Sequence, residues 1–280
     1  MPGALAKLFA RMDDSIACRL ACDFDPERLR AELALLDAIE PSPWQKHFNT
    51  QYYEGDWSGI PLRAPGGDGR KIYPDPKAAY ADTEWLALCP YIQEVLATLR
   101  APFLAVRLLR LTAGSHIREH RDYNLEIADG EVRLHIPIVT DKAVEFYLAG
   151  ERVQMQPGEC WYLNLNQKHR VDNFSTIDRV HLVVDAKLSQ ELMALFPEAL
   201  RRPVGPEALQ LFMAQVLEQE WLQEVLSDLP SRAAFVSAVV ERGAEANLHF
   251  THDDVQAAIQ ERRMAFLIGQ KRILPWMYLS

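Results

Sequence analysis

The segment HIREHRDYN places two histidines and an aspartate within seven residues, from His116 to Asp122. His120 and Asp122 lie two positions apart, and residues i and i+2 of an extended strand point to the same face. Both side chains are therefore expected to enter one cavity. Two imidazoles and one carboxylate on one face of an ion form the facial triad of non-haem Fe(II) oxygenases, which leaves coordination positions open for cosubstrate and dioxygen. The spacing predicts a metal site that needs one further histidine.

The best candidate for the third ligand is His169 in NLNQKHRVDN. It follows the apolar segment ECWYLNL and is expected in a loop at the mouth of a barrel. His116 is a second candidate ligand, although its position ahead of the His120–Asp122 pair favours a place in the pocket wall or behind the ligands.

Two strand patterns direct basic side chains to the same face. Arg179 lies ten residues past His169, in DRVHLVVDA, where it shares a face with His181. In EVRLHIPIV, Arg133 and His135 share a face in the same way. An arginine that faces into a barrel is unfavourable unless it meets an anion, and a planar guanidinium binds a carboxylate through two hydrogen bonds. These basic groups beside a metal triad predict a pocket for a small dicarboxylate, which is 2-oxoglutarate in iron oxygenases.

The elements that must position these residues form a β-rich region. From Pro102 to about Lys187, short apolar runs separated by AG, DG, AGE and PGE turn signals predict a sandwich or barrel of the jelly-roll kind. Residues 1–40 carry a helical pattern, clearest in DPERLRAELALLDAIE, and TEWLALCPYIQEVLATL predicts a second helix interrupted near Pro90. Residues 42–76 are rich in aromatic residues, Gly and Pro, and they predict short strands and long loops.

Residues 189–280 are predicted to be almost entirely helical, with Thr251 and Asp254 forming a capping box for the last helix. The change from strand-like to helical sequence patterns near residue 189 predicts two domains. The first, over 1–188, is a mainly β double-stranded β-helix (jelly-roll or cupin-like) core with N-terminal helices. The second is the helical region 189–280, part of which is similar to leader-peptide domains of ribosomally made natural products. Two roles stay open for it: binding of a peptide or carrier partner, and a buttress that covers the barrel and mediates a homodimer.

Composition limits the function classes. The formal charge of −9 argues against a nucleic-acid-binding surface, and no apolar run approaches the roughly 20 residues that span a bilayer. The start of the chain, MPGALAKLFARMDDS, lacks the long apolar run of a signal peptide, which favours the cytoplasm. The four cysteines are scattered, so we expect idle thiols rather than disulfides or a cysteine metal site.

The combined pattern resembles the aspartyl/asparaginyl β-hydroxylase family of Fe(II)/2-oxoglutarate-dependent dioxygenases. The resemblance rests on GSHIREHRD, VRLHIPIV, PGECWYLNLNQKH and DRVHLVVD, and it includes HFNTQYYEGDWSGIPLR. It implies Fe(II), 2-oxoglutarate and O2 as reactants. The implied iron ligands are His120, Asp122 and His169. It implies Arg179 as the clamp on 2-oxoglutarate, with Arg133 and His135 supporting the cosubstrate carboxylates.

The same resemblance implies an amino-acid substrate, free or within a peptide, that is hydroxylated at the β-carbon of an Asp- or Asn-like residue. Candidate substrate contacts are His47, Tyr52, Trp57 and His116. The chain departs from animal members that act on epidermal-growth-factor-like domains, because those have glycine at the position of Asp122. Two alternatives stay open: a non-catalytic metal-binding jelly-roll protein, and a hydroxylase of a peptide natural-product precursor that the helical tail recognises.

Overall fold

The structure is a computed structural model that describes residues 16–75, 78–201 and 203–267. The chain divides into two compact units, Met1–Arg201 and Arg202–Ser280. The division falls later than the predicted boundary near 189 because the segment after the last strand stays with the first unit. Leu195 O accepts a hydrogen bond from Ala21 N at 2.7 Å, and the ring of Phe196 lies 5.5 Å from that of Tyr162.

The first unit contains thirteen strands among its described residues, and they form two antiparallel sheets. In chain order the strands are β1 Ala17–Asp23, β2 Gln45–Lys46, β3 Tyr53–Glu54, β4 Trp57–Pro65, β5 Tyr80–Asp82, β6 Phe103–Leu111, β7 His116–His120, β8 Glu131–Val139, β9 Val144–Leu148, β10 Glu151–Val153, β11 Glu159–Leu163, β12 His169–Asn173 and β13 Arg179–Lys187. The larger sheet has the order β1-β11-β8-β13-β6-β4-β2, with β5 also paired to β4, and the smaller sheet has the order β10-β9-β12-β7-β3. This arrangement confirms the predicted double-stranded β-helix.

The apolar core of this unit lies between the two sheets. Side chains from the larger sheet, such as Leu109 and Val183, pack there with side chains from the smaller sheet, such as Ile117 and Phe146. The alternate residues of β6 and β13 are buried as well, so both faces of the larger sheet are covered. A strand buried on both faces needs apolar residues at nearly every position, which explains the continuous apolar run of β6.

The described part of the first unit contains three α-helices: α1 Pro26–Asp37, α2 Pro90–Leu99 and α3 Gln190–Ala194. The helix predicted within DPERLRAELALLDAIE is confirmed as α1, which begins where Asp25 accepts a hydrogen bond from Glu27 N at 2.9 Å and Pro26 occupies the first turn. The interruption predicted in the second helix is confirmed too: α2 begins at Pro90, whose missing N–H is harmless in a first turn. The helical prediction for residues 1–40 was wrong over β1, and residues 1–15 lie outside the described ranges.

The second unit consists of α4 Pro206–Glu218, α5 Glu220–Ser227, α6 Arg232–Glu245 and α7 His252–Leu267. These helices bury an apolar core of their own. The capping box is confirmed, because Thr251 N donates to Asp254 Oδ2 at 2.7 Å and Asp254 N donates to Thr251 Oγ1 at 3.1 Å. Gly243 lies inside α6 rather than at its end, where a Cβ atom would come within 2.3 Å of Phe250 Cζ. Within the described residues, no helix has the length and hydropathy that a membrane span requires.

One contact between helices of the first unit can be tested directly. Glu32 is buried on α1, and its carboxylate accepts hydrogen bonds from Tyr91 N at 2.5 Å and Ile92 N at 2.9 Å. These N–H groups belong to the first turn of α2, where no helical carbonyl can accept them. We expect Glu32→Ala to lower the free energy of unfolding by about 3 kcal/mol, measured by urea denaturation. Glu32→Gln, which keeps one acceptor oxygen, should recover about half of the loss, and a wild-type midpoint for Glu32→Ala would contradict the assignment.

Candidate metal and cosubstrate site

His120 reaches the interior because β7 contains a β-bulge. His120 pairs with His169 of β12, whereas Ile117 pairs with Val171, so three steps along β7 are matched by two along β12. The additional residue reverses the alternation of β7. Ile117 is therefore buried in the core between the sheets, and the side chain of His120 is 8% exposed, although an unbroken strand would place the two on opposite faces.

Three donor side chains converge at this point: His120, Asp122 and His169. One donor atom of each lies within 4.8 Å of the other two, and His120 Nε2 lies 3.9 Å from Asp122 Oδ1. Asp122 lies just beyond the end of β7, where its N–H donates to Leu165 O at 2.9 Å. His169 begins β12 rather than lying in the predicted loop. The structure thus brings together the three residues that the sequence singled out.

Both imidazoles are oriented through their Nδ1 atoms. His120 Nδ1 donates to Arg118 O at 2.8 Å, and His169 Nδ1 donates to Gln167 O at 3.1 Å. In a neutral imidazole, a proton held on Nδ1 leaves Nε2 available as a metal ligand. Burial, followed by the neighbouring His120 ring, lowers the pKa of His169 to about 4. The imidazole of His169 is therefore neutral around pH 7.

The carboxylate of Asp122 uses both oxygens. Oδ1 faces His120, and Oδ2 accepts a hydrogen bond from Arg133 Nη1. Burial alone would raise the pKa of Asp122, but Arg133 and then His169 and His120 outweigh it and hold that pKa below its usual value. Arg133 also donates from Nε and Nη2 to Asp185, at 2.5 and 2.9 Å. The described contacts of Arg133 are thus with carboxylates of the chain itself, whereas the sequence pattern had directed it to the cosubstrate.

The sequence pattern did not single out Asp185 or its second partner, Arg107. Both residues are buried, and they form an ion pair. Asp185 continues the inward alternation of β13 that begins at Arg179 and His181. Arg107 interrupts the apolar run FLAVRLLRL, and a charged residue inside a strand buried on both faces is the signal that could have found it.

Arg179 lies in a different environment, because no carboxylate among the described residues forms an ion pair with it. Arg179 is 2% exposed, and its Nη2 donates to His181 Nδ1 at 2.8 Å. His135 Nδ1 lies 3.4 Å from His181 Nδ1. Arg179 Nε and His135 Nε2 are buried without a hydrogen-bond partner in the described parts of the chain. Burial lowers the pKa of Arg179 to about 9. Burial, followed by the charge of Arg179, also keeps the pKa of His135 and of His181 well below 6.5.

Arg179 and His181 line a cavity of about 390 Å³. The rest of its lining comes from the β8–β9 turn, β9, β10 and the segment that leads to β11. Phe146, on β9, lies between this cavity and the donor side chains: its ring is parallel to that of His169 at 6.2 Å and meets the ring of His135 edge-on at 5.8 Å. The cavity and the donor triad are therefore neighbours across one aromatic ring.

Aromatic residues contact the triad from another direction. The ring of Tyr52 is stacked on His120 at 5.1 Å. His47 is buried, and its ring is stacked on Trp57 at 3.4 Å. Burial and then the charges of Arg107 and Arg133 lower the pKa of His47 to about 3, so its imidazole is neutral. Tyr52 touches the triad directly, whereas Trp57 lies behind His47.

His116 does not join this group. The bulge leaves it on the opposite face of β7 from Ile117, where its side chain is 34% exposed. Its Nδ1 lies 3.0 Å from Asp172 Oδ1, and its ring packs against the exposed ring of Phe174. We therefore do not retain His116 as a pocket or substrate residue.

Comparison with known proteins decides the family. A sequence profile described as aspartyl/asparaginyl β-hydroxylase matches residues 24–188. The chain belongs to this family. It is accordingly an Fe(II)/2-oxoglutarate-dependent hydroxylase of amino-acid side chains, and the convergence of His120, Asp122 and His169 agrees with that chemistry. The family membership removes the alternative of a non-catalytic metal-binding jelly-roll protein.

The chain is also similar to a named enzyme and, more distantly, to several solved structures. L-proline cis-3-hydroxylase 2 from a Streptomyces species is 28% identical over 227 residues, which cover 73% of this chain and 77% of that relative. A 2-oxoglutarate–Fe(II) oxygenase from Burkholderia pseudomallei is 15% identical, with a TM-score of 0.41 over 67% of this chain and 92% of that one. A prolyl-4-hydroxylase from Pseudomonas putida is 14% identical, with a TM-score of 0.38 over 66% and 99% of the respective chains. These structures are only distantly similar in shape.

The neutral state of His47 predicts a pH dependence of stability. In the unfolded chain a histidine has a pKa near 6.5, whereas burial lowers the pKa of His47 to about 3 in the folded protein. Below about pH 6.5 the unfolded state therefore binds a proton that the folded state does not, and the free energy of unfolding falls as the pH falls towards 3. We expect His47→Gln to remove about 2 kcal/mol of the loss between pH 7 and pH 5, measured by urea denaturation of the metal-free protein. An unchanged pH slope in the variant would contradict the assigned environment.

Proposed function

We propose that His120, Asp122 and His169 hold a ferrous ion and that Arg179 binds the distal carboxylate of 2-oxoglutarate. The observation that carries this proposal is the convergence of two imidazoles and one carboxylate within 4.8 Å, in the same unit as a buried guanidinium that has no anionic partner among the described residues. The family uses Fe(II) and 2-oxoglutarate. The side chains of this chain fit both groups.

The metal fit rests on the state of the donors. Each histidine donates from Nδ1 to a backbone carbonyl, which is the tautomer whose Nε2 can bind a metal ion. Asp122 is held in its anionic form beside Arg133. Two neutral imidazoles and one carboxylate on one side of an ion suit Fe(II) and leave the other side open.

The cosubstrate fit rests on unsatisfied polar atoms. A buried cation without a partner is unfavourable, and a carboxylate beside Arg179 would supply the missing charge and hydrogen bonds. Arg179 Nε and His135 Nε2 are the buried donors that it would satisfy. The cavity of about 390 Å³ that Arg179 lines is large enough for a small dicarboxylate.

The proposed substrate is a free amino acid, with L-proline as the first candidate. The family description names β-hydroxylation, and the characterised relative is named for hydroxylation at C3 of L-proline. C3 is the β-carbon of proline, so both names describe oxidation of the same carbon of an amino acid. Tyr52, stacked on His120, and the neutral His47 are proposed to form the wall that receives the substrate.

When bound, iron and 2-oxoglutarate would supply the oxidation of an unactivated C–H bond by O2. The chain's own residues orient and enclose these groups. Arg118 O and Gln167 O fix the ring orientation of the two histidines, and Arg133 holds the outer oxygen of Asp122. Phe146 and Tyr52 cover the histidine rings and limit the access of water.

The metal proposal predicts that His169→Ala weakens Fe(II) binding more than about 100-fold, because one of three ligands is lost. Anaerobic titration with Fe(II) and 2-oxoglutarate, followed by the weak visible charge-transfer band of the chelate, measures this. His116→Ala is the matched control, since His116 is bound to Asp172 instead, and it should keep the wild-type band. A normal band for His169→Ala would overturn the ligand assignment.

The cosubstrate proposal predicts that Arg179→Met raises the KM for 2-oxoglutarate about 30-fold, which corresponds to about 2 kcal/mol for one charged hydrogen-bonding partner. The kcat at saturating 2-oxoglutarate should change much less. Arg152→Met is the control, because Arg152 lines the same cavity but already donates to Lys142 O at 2.6 Å. Equal effects of the two substitutions would count against a specific role for Arg179.

The substrate proposal is tested by succinate formation with L-proline, L-aspartate and L-asparagine, each free and within a short peptide. We expect free L-proline to give the highest turnover and a product that carries its hydroxyl group at C3, located by NMR. If only L-aspartate or L-asparagine is turned over, that amino acid, and not proline, is the substrate. Turnover with peptides alone would favour a peptide substrate, in line with the peptide-binding role considered for residues 189–280.

A further inference from the structure

Four charged side chains form a continuous series, here called the charge ladder, that runs from the half-buried Asp122 through Arg133 to the buried Asp185 and Arg107. Arg133 donates to Asp122 at one end and to both oxygens of Asp185 at the other. Arg107 Nη2 donates to Asp185 Oδ2, and its Nη1 donates to Ile72 O at 3.2 Å. Each oxygen of Asp185 is thus engaged by an arginine.

The ladder is built across three neighbouring strands of the larger sheet. Asp185 on β13 lies opposite Arg133 on β8, and Val183, two residues earlier, lies opposite Arg107 on β6. Arg107 is 4% exposed and Asp185 is 5% exposed. Buried charges are unfavourable unless they are paired, and removal of one partner leaves the other uncompensated. With two arginines and two carboxylates, the ladder carries no net charge.

We propose that Asp185 and Arg107 are positioning residues for the metal site, which act on Asp122 through Arg133. This inference rests on the proposed ferrous site. Asp185 fixes the guanidinium of Arg133, and Arg133 occupies Oδ2 of Asp122, so Oδ1 alone is directed towards His120. The ladder therefore makes Asp122 a ligand through one oxygen and sets the charge of its surroundings.

The charge balance gives the two residues opposite effects on a divalent cation. Asp185→Asn leaves two arginines and one carboxylate, so the site gains a positive charge and repels the metal ion. Arg107→Met leaves two carboxylates and one arginine, so the site gains a negative charge and attracts it. Both substitutions break the same buried ion pair, and a loss of packing or stability alone would shift metal affinity in the same direction for both.

The experiment titrates the metal-free protein with Co(II), whose visible absorption reports both affinity and coordination geometry without turnover. We expect Asp185→Asn to weaken binding about tenfold or more, the usual effect of removing a group that orients a ligand. Arg107→Met should bind Co(II) severalfold more tightly than wild type. The double variant Asp185→Asn/Arg107→Met, which is neutral again, should lie closer to wild type in affinity than Asp185→Asn does.

Control variants separate a failure of the ladder proposal from a failure of the metal site. Glu32→Ala, which destabilises the same unit through the start of α2, should keep the wild-type Co(II) affinity and spectrum. A shift of Asp185→Asn and Arg107→Met in the same direction would overturn the ladder proposal. If Asp185→Asn does not fold, Arg107→Met decides alone: tighter binding supports the proposal, and equal or weaker binding overturns it. Absence of Co(II) binding in wild type, with His169→Ala as reference, would instead overturn the metal site itself.

Discussion

The pairing of His120 with His169 across β7 and β12 is the constraint on which the site depends. Antiparallel neighbours place the two imidazoles opposite each other, and the bulge in β7 turns His120 inward. The turn before β12 then controls the remaining geometry. Leu165 O accepts the N–H of Asp122, and Gln167 O accepts Nδ1–H of His169. One short turn therefore holds both segments that carry donor atoms, so the donor positions depend on each other.

The interior of the β unit is polar to a degree that packing alone would not favour, and its charges fall into two groups. In the charge ladder each carboxylate is paired with an arginine, which keeps Asp122 anionic and oriented beside His120 and His169. Among the described residues, no carboxylate is paired with Arg179, and its Nε has no hydrogen-bond partner. Charges that are paired within the protein keep a fixed geometry, as a metal site requires. A buried cation without an anionic partner instead favours binding of an anionic ligand. The two arrangements match the two groups that the family uses.

The chemistry of the site follows from these two groups of charged residues and from the family to which the chain belongs. Iron and 2-oxoglutarate carry the oxidation, while the protein determines which carbon is presented and how water is excluded. The name of the family and the name of the Streptomyces relative agree on the β-carbon of an amino acid. The helical unit Arg202–Ser280 has a separate apolar core and lies beyond the region that the family profile covers.

The sequence by itself determined the parts of this protein that depend on local pattern. The two-residue period of strands directed Arg179 and His181 inward, turn signals delimited the jelly roll, and Asp25 and Pro90 marked helix starts. Only the tertiary structure decided which segments meet. It made residues 17–23 a strand through pairing with β11, reversed the phase of β7 at a bulge, and gave Arg133 its partners Asp122 and Asp185. Register and ion pairing join residues far apart in the chain, and no local pattern records which distant strand a residue will face.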